Sequence, residues 1–223
     1  MYNAFFFDMD GVLVDSMRNH CRAWEQTMPN YHITFSPRDC YLNEGRTSKE
    51  VIRILAKRQG VTLEESLLDE IYETKTRLYR QLGGAQPMQG VADVLHFIKE
   101  QGAQIWVVTG GGQPDLFEQL EGFFGEGIFR RDRMITAKDV THGKPDPEPY
   151  LKAWERSGLK KEECCIVENA PLGCQAGHAA GIFTAGVIST SVLSAEDLSS
   201  AGADKTFADM QEVLGAIRQL ANH

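Results

Sequence analysis

The sequence predicts an α/β protein: a doubly wound parallel sheet interrupted by an inserted α-helical unit. Three observations carry that prediction. Short, unbroken apolar runs recur along the chain and stop at Asp, Thr or Glu, as strands buried on both faces of a parallel sheet do. Amphipathic helical periods fill the intervals between them, which is the β-α alternation of a doubly wound sheet. One long stretch, residues 17–87, has helical periods and polar breaks but no buried strand.

Ala4-Phe5-Phe6-Phe7 is the first expected strand, and it runs straight into Asp8, Asp10 and Gly11. Within the insertion, Val51, Ile54 and Leu55 mark a helix. Val91, Val94, Leu95 and Ile98 then share one helical face, with Gly102 as the stop. Ile105-Trp106-Val107-Val108 is the second strand, ending in Thr109 and three glycines, and Met134-Ile135-Thr136 is a short third. Asp146 and Pro147 suit an N-cap and first helical position, with Tyr150, Leu151 and Trp154 as the apolar face and Gly158 as the stop. Cys165-Ile166-Val167 is a strand ending in Glu168-Asn169, and residues 182–187 form a weaker one. Met210, Val213, Leu214, Ile217 and Leu220 line one face of a final helix. The expected division is a core of residues 1–16 and 88–223 and a helical unit of residues 17–87.

Composition limits the function classes. A chain of 223 residues, 42% hydrophobic and 24% charged, has enough apolar surface for one sizeable domain and a smaller appended one. Its formal net charge of -8 opposes nucleic acid and anionic membranes as partners, so an anionic ligand must be drawn in by a local basic pocket. No run is long and apolar enough to span a bilayer, and the first apolar run is too short for a signal peptide. The five cysteines (Cys21, Cys40, Cys164, Cys165, Cys174) contain no CxxC pair and are expected to be reduced and mostly buried, as in a cytoplasmic protein. A monomer or weak homodimer is expected.

Ligands of open α/β sheets bind outside the carboxyl ends of the strands, and four strand ends or loops here carry reactive residue types. Asp8 is a carboxylate able to attack phosphorus. Asp10, turned back by Gly11, can protonate a leaving group and later deprotonate water. Two solvated acids would be the bland reading, but an aromatic strand running directly into them argues otherwise. In Thr109-Gly110-Gly111-Gly112, a hydroxyl and backbone N–H groups can cradle phosphate oxygens, although a capped glycine turn looks the same. Lys144, between Gly143 and Pro145, can neutralise nucleophile and phosphate together, whereas a lone loop lysine is usually solvated. Glu168 and Asn169 offer hard oxygens suited to Mg²⁺. Together, and in this order, they point to phosphoryl transfer.

The sequence resembles the haloacid dehalogenase-like superfamily from Asn3 to about Met210. The resemblance rests on residues 8–16 (DMDGVLVDS), Thr109-Gly110, Lys144-Pro145-Asp146-Pro147, and Val167-Glu168-Asn169 followed by Gly173 and Ala180-Gly181. It implies a Rossmann-like catalytic core with the insertion as a small cap. It also implies Asp8 as nucleophile, Asp10 as acid/base, Thr109 as phosphate-binding hydroxyl beside Gly110, and Lys144 as orienting cation. Mg²⁺ would be held by Asp8, the Asp10 carbonyl, Glu168 and Asn169. More narrowly, the chain resembles beta-phosphoglucomutase and its phosphatase relatives. That likeness assigns substrate contacts to His20, ahead of Arg22-Ala23-Trp24, to Lys75 with Tyr79, and to Arg46 after Gly45. One departure is Asn169, where relatives usually carry a second acid.

The implied function is a Mg²⁺-dependent phosphatase for a small phosphorylated metabolite, a sugar phosphate foremost, working through an aspartyl-phosphate. A hexose-phosphate mutase is the alternative, favoured by His20 and Lys75. A non-catalytic ligand-binding protein on the same fold finds support in Asn169 and opposition in the intact Asp8, Asp10, Thr109 and Lys144. A 2-haloacid dehalogenase needs neither an acid at position 10 nor a metal.

Overall fold

Phe5 and Phe7 point into one apolar cluster and Ala4 and Phe6 into another, and all four are fully buried. That alternation on two buried faces makes β1 (Ala4–Phe7) the central strand of a doubly covered sheet. The computed structural model describes residues 2–83, 85–111 and 116–221. Gly112, expected in the glycine turn, lies outside them.

Six strands are described: β1, β2 (Gln104–Val108), β3 (Met134–Ile135), β4 (Cys164–Glu168), β5 (Phe183–Val187) and β6 (Lys205–Phe207). Their order is β3-β2-β1-β4-β5-β6, and every pairing is parallel. Phe7 lies level with Val107 of β2 and Val167 of β4. One residue further, the chain therefore brings Asp8, Val108 and Glu168 to the same edge.

The insertion comprises α1 (Met17–Thr27), α2 (Pro37–Leu42), α3 (Ser48–Arg58) and α4 (Glu65–Gln81). The remaining helices are α5 (Val91–Glu100), α6 (Leu116–Phe124), α7 (Glu148–Ser157), α8 (Pro171–Ala180), α9 (Ala195–Ser200) and α10 (Met210–Ala221). Residues of α5, α6 and α10 cover the Phe5–Phe7 face, and residues of α7 and α8 cover the Phe6 face. Capping boxes start two helices of the insertion, Ser36 with Asp39 before α2 and Thr47 with Glu50 before α3.

Several local expectations change. Ile54 is 38% exposed, because α3 buries the stripe Val51, Ile52, Leu55 and Ala56, off which Ile54 falls. The N-cap of α7 is Pro147, one residue later than expected. Asp146 instead sits in the preceding turn and accepts from the Glu148 N–H at 2.9 Å, which still satisfies a first-turn donor. Leu220, expected on the apolar face of the last helix, is 45% exposed near the end of α10, and β6, not among the expected strands, has three residues with Lys205 exposed, too short to show a period. All five cysteines are free and buried. Among the described residues, no helix is long and apolar enough to cross a membrane.

The insertion does not pack only on itself. Its apolar cluster joins Trp24, Ile52, Leu55 and Ile71 to Cys174 of α8, Leu193 and Leu198. Arg38 adds an ion pair to Asp197 at 2.5 Å and a bond to the Val192 carbonyl at 3.1 Å. Because one cluster spans both parts, they are expected to unfold together. Ile71→Ala, at a fully buried site, should cost about 2–5 kcal/mol within a single urea transition. A separate early transition for the helical unit would show that the shared cluster does not couple them.

Candidate active site

Asp8 is the first residue past β1, and its N–H continues the ladder to the Val167 carbonyl at 3.0 Å. It is 8% exposed. Lys144, in the loop before α7, reaches the same edge and contacts Asp8 Oδ1, Glu168 Oε1 at 2.6 Å and the Val108 carbonyl at 3.1 Å. Its three N–H donors thus meet three acceptors. Burial by itself would lower the Lys144 ammonium, but the Asp8 and Glu168 carboxylates outweigh it and hold the group above the usual lysine range. Burial pushes Asp8 upward while Lys144 draws it back. The direct contact favours the charged pair.

Glu168 is fully engaged by the chain. Oε1 also accepts from the Tyr150 hydroxyl at 2.6 Å, and Oε2 accepts from the N–H groups of Asn169 and Ala170 at 3.0 and 3.3 Å. Asp10 lies across the cleft floor, receiving a short bond from the buried Ser16 hydroxyl. The turn that brings it back needs Gly11 at φ +82, where a Cβ would also overlap the Asn169 amide. Burial raises the Asp10 carboxyl, against the Ser16 bond and the charges of Lys75 and Lys144. A raised carboxyl beside a nucleophile suits proton donation. Thr109 is buried, and its Oγ1 accepts from the Gly111 N–H at 2.9 Å, shaping the loop that continues β2.

Above these strand ends lies a cleft of roughly 630 Å³ lined by Asp8, Asp10, Thr109, Gly110, His20, Arg46 and Lys75. The structure therefore brings together all the core and insertion residues expected there, with Lys144, Glu168 and Asn169 beneath. Lys75, read in isolation as solvated, is 6% exposed. Its ammonium lies 5.3 Å from the ring centroids of both Trp24 and Tyr79 and 2.6 Å from His20 Nδ1. The His20 ring stacks on Tyr79 at 4.1 Å. Burial lowers Lys75 to about 8; burial and the neighbouring ammonium drive His20 to about 3. A neutral imidazole accepting at Nδ1 carries its proton on Nε2.

Glu44 is the residue that sequence reasoning missed. It projects from the insertion into the cleft, and the Asn169 amide donates to both of its oxygens at 3.1 Å. Burial and the nearby Asp8 and Glu168 push its carboxyl well up. No period or motif marks it; its only signal was an acid beside Gly45-Arg46. Ser16 and Tyr150 were quoted in the sequence but given no role, since a hydroxyl's partner cannot be read from spacing.

Among the described residues, no group of three or more His, Cys, Asp and Glu side chains forms a metal-holding cluster. Mixed oxygen donors nevertheless fit a hard divalent cation. Asn169 Oδ1 is buried without a hydrogen-bond partner, and four carboxylates (Asp8, Asp10, Glu44, Glu168) meet only two lysines around it. An orphaned amide oxygen amid excess negative charge is chemically matched to Mg²⁺. Glu168 meets Lys144, the Tyr150 hydroxyl and two backbone N–H groups, all of which a cation would have to displace. The Glu44 carboxylate meets only the Asn169 amide among the described residues, so Asp8, Asn169 and Glu44 fit that role better.

The family model described as haloacid dehalogenase-like hydrolase matches residues 5–187. Three similar proteins match nearly the whole chain. The validoxylamine A 7'-phosphate phosphatase of Streptomyces hygroscopicus subsp. limoneus is 30% identical over 96% of both chains. A "Putative pyrophosphatase PpaX" of Clostridium perfringens is 28% identical over 99% of both. A solved structure from Bacteroides vulgatus, described as a "Putative beta-phosphoglucomutase", is 40% identical with a TM-score of 0.90, covering 99% of this chain and 89% of that one.

The neutral His20 sets a pH dependence. Its pKa falls from 6.5 to about 3 on folding, so between those values only the unfolded chain takes up the proton, and stability falls as pH falls. From pH 6 to 4 this group should remove up to about 1.4 kcal/mol per pH unit, and His20→Gln should abolish that share of the slope. Equal slopes in urea titrations of wild type and variant would show that His20 protonates freely in the folded protein.

Proposed function

The chain belongs to the haloacid dehalogenase-like hydrolases, and from that premise we propose that it is a Mg²⁺-dependent phosphatase for a small phosphorylated metabolite. A sugar phosphate is the leading substrate class, supported by the relatives named "Putative beta-phosphoglucomutase" and validoxylamine A 7'-phosphate phosphatase. The observation that carries the reading is Lys144 held against Asp8 at the strand edge, with a protonatable Asp10 across the floor. An Asp8 oxygen attacks phosphorus as the bond to the leaving oxygen breaks, and Asp10 gives that oxygen its proton. Asp10 then takes a proton from water, whose oxygen attacks the same phosphorus and releases Asp8 and phosphate. Lys144 steadies the charge throughout, and Thr109 and the Gly110 backbone hold phosphoryl oxygens. Asp8, the Asp10 carbonyl, Asn169 and Glu44 would hold Mg²⁺, which supplies Lewis-acid charge at the phosphoryl group. Residues 17–87 act as the cap over a core of residues 1–16 and 88–223.

The alternative is a hexose-phosphate mutase: Asp10, which takes the proton from water, can equally take it from a second sugar hydroxyl, and His20 and Lys75, in contact at 2.6 Å, line the cleft where that sugar would lie. A second reading, hydrolysis of inorganic pyrophosphate, draws on Glu44, a carboxylate that lines the cleft from the cap side, and on the relative named "Putative pyrophosphatase PpaX".

The test is a panel with Mg²⁺ containing hexose phosphates, β-glucose 1-phosphate with its bisphosphate activator, inorganic pyrophosphate and p-nitrophenyl phosphate. Phosphate release is expected, and Asp8→Asn should cut kcat by at least about 10³-fold. Full activity in excess EDTA, or an active Asp8→Asn protein, would overturn the mechanism.

Asn169→Asp should act in opposite directions with and without metal. Without Mg²⁺ it replaces two hydrogen bonds to Glu44 by like-charge contact, costing about 1–3 kcal/mol. With Mg²⁺ it adds ligand charge, so the rise in Tm on adding the ion should exceed that of wild type. An unchanged Mg²⁺-dependent rise would remove Asn169 from the metal shell.

A further inference from the structure

We propose that Tyr150 is a positioning residue for phosphoryl transfer, its hydroxyl fixing the Glu168 carboxylate and through it the Lys144 ammonium at Asp8. The proposal rests on the reading of Asp8 as the nucleophile.

Tyr150 lies in α7 with no exposure, its ring inside the apolar cluster that contains Phe6, Trp106 and Ile166. Phenylalanine would fill that space equally well, so the hydroxyl calls for a separate account. A buried phenol must find a partner, and here it donates to Glu168 Oε1 at 2.6 Å, within the range of charge-assisted O–H···O⁻ bonds. The same oxygen receives Lys144 at 2.6 Å. The other oxygen is held by two N–H groups at the start of α8. At Gly173 of α8 a Cβ would overlap the Glu168 carboxylate, so the backbone is pressed against it and leaves no room to shift. The carboxylate is thus fixed from α7, from α8 and from its own strand end.

What this fixes is Lys144. Two carboxylates compete for one ammonium, and the competition changes during the reaction. Once Asp8 carries the phosphoryl group as an acyl phosphate its own carboxylate charge is gone, and Glu168 competes for Lys144 with the phosphoryl oxygens. The Tyr150 hydroxyl, bonded to the same Glu168 oxygen, weakens that pull. Lys144 stays beside Asp8 and the phosphoryl oxygens, where its charge lowers the barrier of both half-reactions.

The experiment compares wild type, Tyr150→Phe, Glu168→Gln and the double variant. Tyr150→Phe should melt as one cooperative unit and lower kcat about 10- to 100-fold with KM within about twofold, the pattern of lost transition-state positioning. In the Glu168→Gln background the same substitution should have almost no further effect. In ¹H–¹⁵N spectra of the lysine ammonium groups, the buried Lys144 signal, assigned by its loss in Lys144→Ala, should move or broaden in Tyr150→Phe. A Tyr150→Phe kcat within twofold of wild type, or an equal loss with and without Glu168, would overturn the proposal. If the wild type releases phosphate from nothing in the panel, the phosphatase reading falls. The Lys144 signal still decides this one: unchanged in Tyr150→Phe, it rejects the positioning role.

Discussion

Everything at the carboxyl edge of the sheet depends on one ammonium between two buried carboxylates. Neighbouring strands β1 and β4 run in parallel register, so their ends deliver Asp8 and Glu168 side by side. Two desolvated carboxylates at that distance cannot both stay ionised without compensation. Lys144 supplies it, reaching both and saturating its third N–H on the Val108 carbonyl. The loop that carries it, the start of α7 that follows, and the close approach of α8 are all arranged around that contact. The proposed role of Asp8 as nucleophile needs charge, burial opposes charge, and the lysine reconciles the two.

The insertion modifies this balance rather than simply covering it. Entering just past Asp10 and leaving before α5, it lays α1 and α4 over the strand ends and extends Glu44 onto the floor. Where the resemblance leads one to expect a second acid, this chain has Asn169, and the insertion brings a carboxylate, Glu44, to that amide. The hydrogen bonds between Asn169 and Glu44 join the two parts of the chain near Asp8 and leave the amide oxygen without a partner.

How far this was legible in the sequence follows from burial. β1, β2 and β4 are apolar on both faces, so their runs stand out without any partner being known. β6 pairs on one side only and is too short to show alternation. Asp8, Thr109 and Glu168 stand out because each sits at the end of such a strand. The insertion residues do not: Lys75 has the spacing of a solvated charge, and its burial depends on Trp24 and Tyr79, which meet it only after α1 and α4 pack. Tyr150 was assigned correctly to a buried helix face, yet its hydroxyl acts on Glu168, eighteen residues later. Glu44 had no periodic context at all. What escapes sequence reading here is polar pairing across elements, because apolar periodicity records which face is buried and not what a polar group finds there.

The cost of burying Lys75 has a consequence for the proposed reaction. Apart from the rings of Trp24 and Tyr79, its ammonium is met chiefly by a neutral imidazole, and no carboxylate forms a salt bridge with it among the described residues. Burial consequently lowers it to about 8. A phosphorylated substrate entering the cleft would supply the missing negative charge and raise the group again, so substrate binding and the charging of Lys75 reinforce each other. A neutral ligand would gain nothing from that coupling and would leave a desolvated cation uncompensated. In a protein whose overall charge repels anions, the proposed selectivity for a phosphate ester would thus draw on a destabilised lysine in the cleft rather than on the field of the whole molecule. The same logic explains why the lysine is caged by aromatic rings: they hold it in place without neutralising it, leaving its charge for the substrate to complete.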